Sequence, residues 1–493
     1  MQENSFIVAK PSAPFRLSCN PGALFLLPPS LVRAGALRSI FIFRVLSMGS
    51  TFSRPKVAIV GSGISGLAVA HTLQDHADVT LFEAGDYFGG HTHTVDITLP
   101  TAHGPVTHGV DTGFLVFNER TYPHLIELFA QLDVKTAMSD MSFSVKVPDA
   151  FGRDEPAGQA LEWSGSSLNS VFAQRRNLVN WKFLRMLRDI MRFNRITTAL
   201  ANANAEAAML QPLGDFLKAE KFSAEFRDWY FLPMMGCIWS CPTDQMLQFP
   251  VATMIRFCYN HGLIQVADRP QWWTVSGGAR HYVDKIIATI PDKRLNTPVR
   301  LIERNADGVR VITDDRAEHF DKVVLAAHAD QSLAMLGHAT AAEQQVLGAI
   351  RYQPNRAVLH TDASVLPSKK LAWAAWNYER ARQTDRESAQ VCLHYLLNML
   401  QPLPFAQPVI VSLNPVREIE RSLVMGQFDY AHPVFDLGAI RAQAELPHLQ
   451  GQQHTYFCGA WTGYGFHEDG LKSGQQVARQ ILRETRETRG AMA

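Results

Sequence analysis

The chain is expected to adopt an α/β fold: a Rossmann-like dinucleotide-binding domain with an inserted mixed α+β domain over the substrate. Three stretches predict it. Lys56–Val60 is an apolar, β-branched run of the kind that forms a buried parallel strand. Gly61-Ser62-Gly63-Ile64-Ser65-Gly66 follows at once, then the apolar helical stretch Leu67–Leu73 and a second strand-like run, Val79–Glu83, that ends in an acid. Near the other terminus, Tyr456–Trp461 reads as a strand and turn and Gln475–Arg483 as a helix.

Each part of the first stretch has a physical task. Gly61 permits a tight turn, and Gly63 lets backbone approach a pyrophosphate at the N-terminus of the helix opened by Ile64 and Ser65. Gly66 lets helix and strand pack closely. Glu83 stands 22 residues after Gly61, where its carboxylate can accept hydrogen bonds from a ribose diol and would repel a 2′-phosphate. A non-phosphorylated dinucleotide is therefore expected. Past Glu83 and Ala84, the pair Gly89-Gly90 offers side-chain-free backbone along which a long dinucleotide can continue.

Glu83–Thr92 resembles the E-A-x-x-x-x-G-G-R motif of the amine oxidase and phytoene desaturase superfamily of FAD enzymes, with His91 in place of the usual Arg. Val110–Phe114 resembles the next strand and turn of that glutathione-reductase-like fold, which places Gly113 and Phe114 under the flavin. Val299 corresponds to the position that meets the adenine through its backbone, although Thr297–Ala327 also reads as an ordinary β-meander. Gly459-Ala460-Trp461 and Glu468–Gly474 resemble the closing A-G-D and E-G-A-x-x-S-G motifs. The resemblance implies that Gly459, Ala460, Glu468, Gly470 and Leu471 lie at the flavin, with the helix N-terminus at its pyrimidine edge. Ala460 replaces the ribityl-binding Asp, so another group must hold that chain. The implied FAD is non-covalent, because Cys458 lies short of the ring-facing position. His467 is a weak candidate acid/base, with a helix cap as its other reading.

The middle of the chain, at 120–270 and 336–440, carries no nucleotide motif and reads as mostly helical and aromatic-rich. Its stretches, among them N-W-x-F-x-x-M-L-x-D-I-x-R-F-N and G-F-H-E-D-G, resemble the bacterial amine-oxidase-like NAD/FAD-binding subgroup associated with cyclopropane fatty acyl synthases. That resemblance implies oxidation of a lipid or modified acyl chain, with O2 or a carrier as electron acceptor. A lipid-modifying methyltransferase is the implied partner. The other functional readings are a flavin-binding scaffold without turnover and an oxidase of a small amine. The expected domains are a discontinuous FAD-binding domain (55–120, 270–335 and 440–487) and a substrate domain (121–269 and 336–439).

Composition narrows the alternatives. The 493 residues are 46% hydrophobic and 19% charged, which excludes bulk disorder. Lys plus Arg is 47 and Asp plus Glu is 46, so nucleic acid is not an expected partner. The six cysteines form no disulfide framework, and neither Cys237/Cys241 nor His91, His93, His103 and His108 has metal-ligand company; no metal is expected. Trp373 and Trp376 read as core. Residues 1–54 are expected to be a poorly structured extension, with Met48 the favoured start. There is no uninterrupted apolar run for a membrane span, and a cytoplasmic location is expected. Within Arg175–Arg195, seven basic residues face one acid, Asp189, while Phe183, Leu184, Leu187, Ile190 and Met191 recur at helical spacing. A basic amphipathic helix of this kind lies on an anionic membrane or packs its apolar face on the core.

Overall fold

The computed structural model describes residues 54–150, 160–205, 209–240, 242–264, 269–381 and 391–492. The expected extension, Arg54 apart, and Cys241 lie outside the described residues.

Five strands form the sheet that organises the nucleotide motifs: β1 (Lys56–Val60), β2 (Asp78–Phe82), β3 (Asp292–Arg294), β4 (Lys322–Leu325) and β5 (Thr455–Phe457). Their spatial order is β3-β2-β1-β4-β5, and every pairing is parallel. β1 is central, so Val57–Val60 are buried and the strand is continuously apolar. Helix α1 (Ile64–Leu73) returns from β1 with no space to spare: a Cβ on Gly66 would stand 1.9 Å from the Gly61 carbonyl oxygen. The C-terminal helix α2 (His467–Met492) packs on α1 as tightly, since a Cβ on Gly474 would meet the Ser65 carbonyl oxygen at 2.2 Å. This helix begins eight residues before the predicted Gln475, because its glycines are used for close packing and do not end it.

Val299–Asn305, Gly308–Thr313 and Ala317–Phe320 form the expected antiparallel meander. It shares a core with Val60, Phe82, Leu325 and Phe457 of the parallel sheet, and with Val346, Leu347 and Ala439.

The second large sheet has seven strands, in the spatial order Val424–Val434, Arg351–His360, Ile410–Leu413, Cys392–Leu396, Trp376–Glu379, Phe143–Val147 and Leu161–Ser164. Its face with Tyr378, Leu393, Val411 and Leu413 joins the main core, together with helices Leu213–Ala219, Leu232–Trp239 and Val251–Asn260. The helical reading of 336–440 is thus corrected, as that region supplies five of the seven strands of this sheet. Pro354 concealed the Arg351–His360 strand. It lies where that strand pairs only with Val424–Val434, since pairing to Ile410–Leu413 begins at Ala357. A residue without an N–H costs no ladder bond on an unpaired side.

The helical layer holds Trp181–Asn202, capped by the Asn180 side chain, and a π-turn at Arg227–Phe231. Pro233 explains the turn. It offers no N–H to the Trp229 carbonyl, which instead accepts from Trp163 Nε1 at 3.3 Å. Among the described residues, no helix is long and apolar enough to cross a membrane.

Candidate cofactor and active site

The site lies at the C-terminal ends of β1, β2, β4 and β5. Gly61 turns the chain with φ +102°, and its N–H donates to the Phe82 carbonyl at 2.8 Å. Gly63, the residue before α1, has ordinary extended backbone (φ −62°, ψ 174°) and offers the helix no side-chain cap. A Cβ built on Gly63 would meet nothing within 4 Å. Neither strain nor protein packing therefore calls for glycine here; open space lies against an uncapped helix N-terminus, where an anion is favoured. Ile64 and Ser65 are buried behind this turn.

Glu83 stands beside it. Its Oε2 accepts from the Ser62 N–H at 2.9 Å and the Ser62 hydroxyl at 2.5 Å, and its Oε1 accepts from the Gly85 N–H at 2.9 Å. Ser62 Oγ also accepts from the Gly89 N–H at 3.1 Å, so one buried serine ties the glycine turn, the acid and the Gly-Gly segment together. Nothing in the sequence sets Ser62 apart for this task. Ala84 is exposed. The Thr297 and Asn296 N–H groups donate to the Glu83 and Gly85 carbonyls at 2.9 Å, which brings the start of the Val299 strand alongside Glu83.

Gly89 and Gly90 have φ of +126° and +58°, and a Cβ on Gly90 would be 3.1 Å from Gly63 Cα. The Phe114 N–H donates to the His91 carbonyl at 2.8 Å, and Gly113 is held so close that its Cβ would sit 2.2 Å from that oxygen. Buried Asp111 fixes this segment from behind. It accepts from Thr94 Oγ1 at 2.5 Å, Gln401 Nε2 at 2.6 Å and the Ala279 N–H at 2.9 Å.

His91 Nε2 is shielded from solvent and has no hydrogen-bond partner. Around that ring lie Tyr430 at 5.0 Å, His432 at 5.5 Å and His328 at 6.3 Å between centroids, the last stacked on Tyr352. His91, His328, His432 and His467 each keep part of their surface uncovered. Burial, then its neighbouring imidazoles, hold His91 well below the usual histidine range. Burial brings His432 down to about 4 and His467 to about 3, so these rings are neutral near pH 7. His91 and His467 stood out in the sequence, the first as a cofactor residue and the second as a weak acid/base candidate, whereas His328 and His432 come from a turn and a strand hundreds of residues away.

From the C-terminal side, the Gly459 N–H donates to Ser473 Oγ at 3.1 Å, and Ala460 opens a short turn. Gly470 passes so near α1 that its Cβ would be 2.8 Å from Ile64 Cγ2, and Leu471 is fully buried. Glu468 Oε1 accepts from the His124 N–H at 2.9 Å, and its Oε2 accepts from the Leu125 N–H at 3.0 Å. Both oxygens thus serve the start of helix Pro123–Gln131, and the side chain is committed to protein. His467 stacks on Phe114 with centroids 3.9 Å apart, and its Nε2 hydrogen-bonds Tyr282 OH at 2.7 Å. Tyr282 OH continues to Thr92 Oγ1 at 2.5 Å. His467 therefore helps to clamp Phe114 and Thr92 from opposite ends of the chain.

Among the described residues one cluster has metal-ligand geometry, Glu379, Cys392 and His394, and it lies on the seven-stranded sheet. Lys146 Nζ is 2.9 Å from Glu379 Oε1, and His394 Nε2 is 3.2 Å from Oε2. We read it as an ion-paired network. Burial opposes the charge on His394, but Cys392 and Glu379 raise it above the usual histidine range. That pair stabilises the fold below the ordinary histidine value and is lost as pH rises through the elevated one. His432 and His467 act oppositely: the unfolded chain takes up their protons first, so stability is lost as pH falls below about 6.5. The melting temperature is expected to peak near neutrality and to fall on both sides. A melting temperature still rising from pH 6 to pH 4 would contradict these assignments.

The family model for "Flavin containing amine oxidoreductase" matches residues 64–359. Cyclohexylamine oxidase from Brevibacterium oxydans IH-35A is similar in structure, at TM-score 0.60 and 17% identity over 88% of this chain and 100% of that one. The CLA-producing fatty acid isomerase from P. acnes gives TM-score 0.58 and 15% identity over 87% and 98%. These likenesses show the fold. A 40-residue segment is 62% identical to tryptophan 2-monooxygenase of Agrobacterium vitis, covering 8% of this chain and only 5% of that protein.

Proposed function

Because the chain belongs to the flavin-containing amine oxidoreductase family, we propose that it is an FAD-dependent oxidoreductase acting on the acyl chain of a lipid. The observation that carries the cofactor assignment is the open space at Gly63, against an uncapped helix N-terminus and beside Glu83. The unpartnered His91 Nε2 gives a further buried group for the same ligand. The chemistry FAD supplies when bound is acceptance of a hydride from a substrate C–H bond at N5, with O2 or a carrier as final acceptor.

The protein's own contribution is binding, orientation and exclusion of water. The α1 N-terminus receives the pyrophosphate and Glu83 the ribose, while Phe114, Thr92, Tyr282 and His467 form a rigid, uncharged wall. His467, neutral above about pH 3, is a positioning residue and gives the rate no titration near pH 6.5.

The acyl-chain assignment rests on the interior of the helical layer. Trp239 and Phe257 are 4.7 Å apart and Phe257 and Phe466 are 4.8 Å apart, so an apolar aromatic series runs to the residue next to His467. The similarity to a fatty acid isomerase agrees with that chemistry, whereas the similarity to cyclohexylamine oxidase favours an amine. Anaerobic stopped-flow mixing of the holoprotein with detergent-dispersed phospholipids and with small amines decides between them. Bleaching of the oxidised flavin by phospholipid is expected. Bleaching by an amine alone would overturn the acyl assignment, and an unreduced flavin with every substrate would favour a scaffold for a lipid-modifying methyltransferase.

A further inference from the structure

The Trp181–Asn202 helix divides differently from the sequence expectation. Phe183, Met186, Phe193, Thr197 and Ala201 enter the core. Trp181, Leu184, Arg188, Met191 and Arg195, spaced by three and four residues, form the exposed stripe. Leu184 and Met191, expected on one apolar face with Phe183, point outward instead. The segment leading into the helix adds Leu168 at 80% exposure and Val179 at 86%, with Trp181 at 62% and Met191 at 63%. Leu178 is exposed as well. Of the ten large apolar side chains exposed among the described residues, six lie between Leu168 and Met191, which makes this a patch and not ordinary surface scatter.

The exposed charges of the segment itself have one sign. Arg175, Arg176, Lys182, Arg188 and Arg195 are exposed, while the single acid of the segment, Asp189, is buried and accepts from the Ser223 N–H at 3.1 Å. Several of the cations also have protein partners: Arg185 pairs with Glu225, Arg192 with Glu220 at 2.9 Å and Arg188 with Asp189 at 3.5 Å, while Arg175 donates to the Phe172 carbonyl at 3.0 Å and Arg176 to the Ala160 carbonyl at 3.3 Å. The Glu225 and Glu220 pairs tie the helix to the 220–225 segment, and Lys182, Arg188 and Arg195 stay exposed on its outer side.

We propose that the Leu168–Arg195 surface docks the protein on an anionic phospholipid bilayer, the apolar side chains entering the interface and the cations meeting phosphate headgroups. Charge complementarity selects this occupant. A second copy of the chain would set cations against cations, and an uncharged surface would leave them without counter-charge. The inference deepens the acyl-chain reading, because it brings the protein to where phospholipid acyl chains reside.

The test is co-sedimentation of the FAD-loaded full chain with vesicles of equal parts phosphatidylcholine and phosphatidylglycerol, and with phosphatidylcholine alone. Sedimentation with the anionic vesicles is expected, with release as salt rises. Charge reversal of Lys182, Arg188 and Arg195 together to Glu should weaken it by about 100-fold or more, at unchanged FAD content. Val179→Ser with Trp181→Ser should weaken it even at low salt. No sedimentation of the parent, or sedimentation unaffected by either variant, would overturn the proposal. So would concentration-dependent dimers that Trp181→Ser dissociates, since the patch would then be an interface between copies. Sedimentation needs no turnover, so this outcome is separate from flavin reduction by detergent-dispersed lipid.

Discussion

A Gly63→Val protein is expected to fold as well as the parent and to bind no FAD. Its backbone at this position, φ −62° and ψ 174°, suits any residue, and the added Cβ meets no protein atom within 4 Å. The same side chain projects into the space at the α1 N-terminus that the pyrophosphate requires. Loss of the N–H contacts and direct steric exclusion together should weaken FAD by at least about 2.7 kcal/mol, or 100-fold. Unchanged melting of the apoprotein with unmeasurable FAD uptake is the expected pair of results. Parent-like FAD affinity would move the phosphate site elsewhere.

Gly66→Ala is expected to do the opposite: remove the fold, and the cofactor with it. Its Cβ would lie 1.9 Å from the Gly61 carbonyl oxygen and 3.3 Å from Ala326 Cβ. The first contact is with backbone, so no rotamer change relieves it. Either α1 lifts from β1 or the glycine turn opens, and both disrupt a fully buried core around Ile59, Leu67 and Leu73. A loss above about 4 kcal/mol is expected, a large share of the about 5–15 kcal/mol available to a typical folded protein. Insoluble expression, or loss of the cooperative melting transition, is the measured outcome. A soluble, parent-like Gly66→Ala would mean that this turn is wider than described.

The contrast between these glycines shows what the sequence could and could not convey. The strand, turn, helix and acid at 56–83 were legible because each piece is local and its spacing is physical. The pattern alone does not say that Gly66 answers to protein backbone while Gly63 faces open space. Ser62 escaped notice because its partners, Glu83 and the Gly89 N–H, lie 21 and 27 residues away. The imidazoles around His91 were out of reach altogether, since His328 and His432 arrive on a turn and a strand far along the chain. The seven-stranded sheet was hidden for a related reason. Its outer face carries half-buried Lys146 and buried Glu379, His394 and Ser412, which satisfy one another, so the strands lack a clean apolar alternation.

Glu468 makes a similar point. The closing motif places it next to the flavin in sequence terms, but its side chain caps helix Pro123–Gln131 and is not free to meet a cofactor. Cys458 is fully buried, and burial raises its thiol. A neutral thiol enclosed by core gives no nucleophile for covalent flavin attachment.

The flavin content of the purified chain tests the central claim most directly. The protein should be yellow, carry close to one FAD per chain, and release it to the supernatant on acid precipitation. Apoprotein that takes up no FAD from a saturating solution would contradict the account, and colour retained in the acid pellet would contradict the non-covalent assignment.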